Sequence, residues 1–80
     1  MPTVFRQDGW RFFFYSNEGD PREPVHIHVL RDTAEAKFWL YPAVAPAYNH
    51  GLSARELRIV SEIVIERRRE IEEAWHVHFG

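Results

Sequence analysis

Apolar and polar positions alternate with a period of two through the first half of the chain, then recur at helical spacing in the second. Thr3 to Gln7 and Trp10 to Tyr15 are β-branched and aromatic runs on either side of Asp8-Gly9. A two-residue hairpin turn needs positive φ at both positions, which Asp-Gly tolerates, so a hairpin is expected over residues 3–15. Its register sets Gln7 opposite Trp10, Phe5 opposite Phe12 and Thr3 opposite Phe14. The other face then carries Val4 beside Phe13 and Arg6 beside Arg11. Residues 16–24 are rich in Asn, Gly, Asp and Pro and read as a loop.

A second hairpin is expected over residues 25–41, turning at Asp32-Thr33. Val25, Ile27 and Val29 then meet Leu40, Phe38 and Ala36, an all-apolar set. The opposite face pairs His26 with Trp39, His28 with Lys37 and Leu30 with Glu35. A slip of one residue would set histidines against the apolar set, so the pattern itself selects the pairing. Residues 42–52 hold two prolines and Asn49-His50-Gly51 and read as a linker. Ser53 and Glu56 form a capping box that opens a helix over 53–76. Leu57, Val60, Ile63, Val64, Ile71, Ala74 and Trp75 share one stripe of it. Ile59 and Ile65 fall outside that stripe.

These elements predict one α+β domain over residues 1–80. It has two layers: a four-stranded antiparallel sheet of two hairpins, packed on one long C-terminal helix. One helix covers one face of a sheet. The other face is expected to stand uncovered and to carry His26, His28, Lys37 and Trp39. Arg6, Arg11, Phe13 and Tyr15 join it if the hairpins pair as a meander.

Composition narrows the chemistry. The 80 residues include no cysteine, which excludes disulfides, thiolate metal sites and a cysteine nucleophile. No apolar run approaches the roughly 20 residues a membrane span needs. Met1-Pro2-Thr3-Val4-Phe5-Arg6 has no signal-peptide pattern. A cytoplasmic setting without membrane contact is therefore expected. The net charge is −2, and each half of the chain carries five basic and six acidic side chains. That balance argues against a general electrostatic grip on nucleic acid but leaves room for a local basic patch.

His26-Ile27-His28 is the main candidate for chemistry. Alternate strand residues project to one side, so both imidazoles point together. Two solvated histidines on a strand face are the plain alternative. The pair suits general acid and base work, and Lys37 beside His28 suits an anion such as phosphate. The same ammonium opposes a bound cation, so no metal is favoured; His26 and His28 would be the ligands if one bound. Glu35, diagonal to His28, is the one nearby carboxylate. Arg6 and Arg11 are like charges across a strand pair, which either diverge into water or meet an acidic or phosphate-bearing partner. Arg67 lies inside the helix stripe and either snorkels or pairs with a carboxylate. His76 and His78 read as a solvated helix end, and Trp75 with Phe79 as core.

With these strings in place, the chain resembles a group of small bacterial proteins, domain-of-unknown-function family 4160. The resemblance rests on Met1-Pro2-Thr3-Val4, Arg11-Phe12-Phe13-Phe14-Tyr15-Ser16-Asn17-Glu18, His26-Ile27-His28-Val29, Ala36-Lys37-Phe38-Trp39-Leu40, Ala74-Trp75 and Phe79-Gly80. Members usually carry proline just before the first histidine; here Val25 stands there and Pro24 precedes it. The matching positions are His26, His28, Lys37 and Trp39, to which the family assigns no role. The resemblance implies no set activity. It implies a gene beside that of a second small protein, in the manner of a toxin–antitoxin pair.

The resulting expectation is an interaction protein, one half of a two-protein bacterial module, with the toxin-like half as its finer form. It would act through the exposed His/Lys/aromatic sheet face, with Arg6, Arg11, Tyr15 and Trp39 as binding residues. Its partner would be a second copy or a small protein encoded nearby, with RNA a further candidate and no cofactor. One rival is a metal-independent ribonuclease, in which His26 and His28 act as acid and base and Lys37 stabilises the phosphorane. The other is a metal-binding module through His26 and His28.

Overall fold

The computed structural model describes residues 2–18 and 22–80. Strand β1 (Thr3–Gln7) turns through Asp8-Gly9 into β2 (Trp10–Phe13), and both turn residues have positive φ, 54° and 83°. A short 3-10 turn follows at Ser16–Glu18. Strands β3 (His26–Arg31) and β4 (Ala34–Trp39) form the second hairpin, with Asp32 at φ 54°. A fifth strand, β5 (Ala45–His50), precedes helices α1 (Ala54–Glu66) and α2 (Arg68–Phe79). The five strands form one antiparallel meander in the order β1-β2-β3-β4-β5. Of the loop expected over 16–24, residues 19–21 lie outside the described residues.

The second hairpin keeps its expected register from His26↔Trp39 to Leu30↔Glu35. Val25 lies just before β3, yet its carbonyl accepts from the Leu40 amide at 3.2 Å. In the first hairpin, Gln7↔Trp10, Arg6↔Arg11 and Phe5↔Phe12 hold. The pairing then shifts between Thr3 and Phe5, so Thr3 meets Phe13 instead of Phe14. That bulge turns Thr3 to the outer face, where its hydroxyl accepts from Arg11 Nε at 2.8 Å.

The sheet has five strands, not four, because the stretch expected as a linker over 42–52 contains β5. A proline inside a run counts against a strand, but an edge strand with an irregular register tolerates it. Pro46 pairs with Phe38 beside the register shift at Lys37/Phe38.

The single long helix expected over 53–76 is two helices. They meet at Arg67, whose φ and ψ of −106° and 21° leave the helical region. Its guanidinium lies 3.4 Å above the Phe5 ring centroid, donates to Gln7 Oε1 at 3.0 Å, and forks onto Glu70 at 2.8 and 2.9 Å. A one-residue break leaves the apolar stripe in phase, so spacing alone does not report it. The capping box at Ser53 and Glu56 forms as expected.

The core lies between the helices and the inner face of the sheet. Phe12, Ile27, Val29, Ala36, Phe38 and Leu40 are buried there against Val60, Ile63, Val64, Ile71 and Trp75. Ile59 and Ile65, outside the stripe, are exposed.

Candidate functional site

The outer face is assembled by the strand registers. One row across the sheet reads Arg6, Arg11, Leu30, Glu35, His50, and the next reads Thr3, Phe13, His28, Lys37, Tyr48. The meander therefore brings Arg6, Arg11 and Phe13 onto the histidine face. Tyr15, just beyond β2, lies there too, its ring 4.5 Å from that of His28.

The two histidines are buried, at 0% and 2% exposure, and not on an open face. His26 sits among the rings of His28, Trp39 and Trp75, at 5.1, 5.5 and 4.9 Å. Trp75 reaches it from α2, a contact across elements that strand alternation does not encode. His28 stacks on Phe13 at 5.5 Å. An aromatic face of this width covers its own histidines.

Hydrogen bonding fixes the proton positions. His26 Nδ1 lies 2.8 Å from the Pro24 carbonyl, which can only accept, so Nδ1 carries hydrogen. The Tyr48 hydroxyl donates its one hydrogen to Glu35 Oε2 at 2.7 Å. Its oxygen therefore accepts from His28 Nδ1 at 3.2 Å. Tyr15 also donates to the Glu35 carboxylate, at 3.2 and 3.3 Å. A directed chain thus runs from His28 through Tyr48 to Glu35, whose carboxylate also lies 3.4 Å from His28 Nδ1.

Lys37 stands beside His28 as expected, but its ammonium is engaged. It bonds Glu23 at 2.9 Å and lies 4.3 Å from the Trp39 ring centroid. Arg11 folds back over Phe13, 4.6 Å from its centroid, and does not diverge into water. Arg6, across from it, is exposed. Among the described residues, no group of three or more His, Cys, Asp or Glu side chains is arranged to hold a metal ion.

Glu23, and the place of Tyr48 in a strand, are the parts of the site that the sequence does not show. The prolines of residues 42–52 disguise the strand that carries Tyr48, and a loop carboxylate such as Glu23 has no register to place it. The diagonal position of Glu35 was the available signal.

The arrangement holds polar groups and ring faces in place at the outer surface of the sheet. Arg11, Tyr15, Glu35, Lys37, Trp39 and Tyr48 are all half-buried and tied to neighbours, so their polar groups and ring faces are presented in fixed positions. His26 and His28 act as the buried support beneath them. A family model described as domain of unknown function (DUF4160) matches residues 9–76. No curated protein and no solved structure matches the chain.

Proposed function

The chain belongs to the DUF4160 family, and from that premise we propose that it is an interaction protein, one half of a small two-protein bacterial module and its toxin-like half. The working surface is the outer face of the sheet. The observation that carries this reading is the pre-organised set of Tyr15, Glu35 and Tyr48, locked by mutual hydrogen bonds on the face opposite the main core. Tyrosine, tryptophan and arginine dominate binding hot spots, and side chains already held in place lose little entropy on docking.

The ribonuclease reading needs an accessible acid, base and cation. Burial of His26 and His28 and the pairing of Lys37 with Glu23 weigh against it. A metal reading would need the histidines as accessible ligands; both rings are buried, and among the described residues no third His, Cys, Asp or Glu completes a site with them.

The test is growth of a bacterial host after induction of this chain, alone and together with the small protein encoded beside it. Growth arrest relieved by the neighbour, with a complex that co-elutes, is the expected result. Glu35→Gln, which keeps the side-chain shape, should weaken that complex. Normal growth together with failure of the two proteins to associate overturns the reading.

A further inference from the structure

The two edges of the sheet are guarded differently. On β5, Pro46 lacks a backbone N–H and the register shifts beside it, both devices that block addition of another strand. On β1, residues Thr3–Gln7 include no proline, and among the described residues no strand lies beyond it.

The turn sets which groups this open edge presents. In a two-residue hairpin the flanking pair, here Gln7 and Trp10, exchanges hydrogen bonds, and the next pair does not. That next pair is Arg6↔Arg11. The N–H and C=O of Arg6 therefore point away from β2, out of the sheet. The Arg6 side chain is exposed, forms no ion pair among the described residues, and faces the like charge of Arg11.

Beside the same edge, a cavity of about 460 Å³ opens between β1 and α2. Val4, Phe14, Ala74 and Val77 give it an apolar lining, and Val77 is 89% exposed.

We propose that β1 takes up an extended strand of a protein partner, paired through the Arg6 backbone. An acidic residue of that strand lies opposite Arg6, and an apolar side chain of the strand fills the cavity beside Val4 and Val77. Neighbouring residues of a strand point to opposite faces, so one short segment supplies both. A second copy of the chain fits less well, because a two-fold centred on Arg6 would set two arginines directly opposite each other. The proposal deepens the interaction reading and rests on it for its biological role, while the geometry belongs to β1 alone.

The test is selection of a phage-displayed library of random short peptides on the full chain. Recovered peptides, made synthetically, should carry acidic and apolar residues at positions of opposite face. They should protect the Arg6 amide from hydrogen exchange. Arg6→Pro removes the outward N–H without breaking the hairpin ladder and should weaken binding about tenfold or more. Arg6→Ala, which keeps the N–H, should lose less. Failure to recover binders, or binders that leave the Arg6 amide unprotected, overturns the site, as does concentration-dependent dimerisation through β1 that excludes peptide. Peptides bound at β1 by a chain that neither arrests growth nor binds its neighbour would keep this site and remove the module. A natural partner bound with Arg6 unprotected would do the reverse.

Discussion

His26 holds its Nδ1 hydrogen on the Pro24 carbonyl and keeps its ring between two tryptophans. A ring so placed contributes packing as well as a hydrogen bond, and removing it leaves a cavity and an unmatched carbonyl. His26→Ala should lower stability by about 3 kcal/mol, read from urea unfolding followed by tryptophan fluorescence. A change under 1 kcal/mol would show that the ring is not part of the core. At Tyr48 the hydroxyl is both donor and acceptor. Tyr48→Phe removes the link between His28 and Glu35 and should cost about 1–2 kcal/mol. The nitrogen chemical shifts of His28 should move with it, and unchanged shifts would mean that the chain through Tyr48 does not set the tautomer.

Helix α1 begins on a reciprocal cap. The Ser53 amide donates to Glu56 Oε1 at 2.9 Å, and the Glu56 amide donates to Ser53 Oγ at 3.1 Å. The Glu56 carboxyl is held below its ordinary value of 4.5, chiefly by the Ser53 amide, with the Ser53 hydroxyl and Arg31 adding to the effect against partial desolvation. A carboxyl with a depressed folded-state pKa stabilises the fold fully above its unfolded value. It loses that contribution as pH falls through the folded one. The urea midpoint should therefore drop on the acid side of about pH 4.5, and by less in Glu56→Gln than in the native chain. Equal drops in the two would remove Glu56 from the account. Between the helices, Arg67→Ala gives up the Phe5, Gln7 and Glu70 contacts together. A loss of about 1–2 kcal/mol with faster amide exchange in α2 is expected. Slow exchange kept throughout α2 would mean that Arg67 does not clamp it.

For the whole molecule, the balance of charge is the constraint. Ten basic and twelve acidic residues are spread evenly between the halves, and the cations of the outer face are partly engaged by Thr3, Phe13 and Glu23. The chain should show no salt-sensitive retention of short single-stranded RNA at physiological ionic strength, measured by fluorescence anisotropy. Binding that weakens steeply with salt would return nucleic acid to the front of the candidates.

The alternation from Val25 to Leu40 determined the second hairpin and its register, because a slip of one residue exchanges buried and polar faces. Asp8-Gly9 determined the first turn, and Ser53 with Glu56 the start of the helical layer. These are local rules, complete within a few residues. The bulge at Thr3, the strand around Pro46 and the break at Arg67 were decided by tertiary contacts: Arg11 on Thr3, Phe38 beside Pro46, and Phe5 beneath Arg67. The fate of the histidines belongs with these. Their common side was legible from spacing, but burial depends on what packs over them. Trp75, Tyr15 and Tyr48 come to them from other segments of the chain, and only the assembled sheet and its helices bring those segments together.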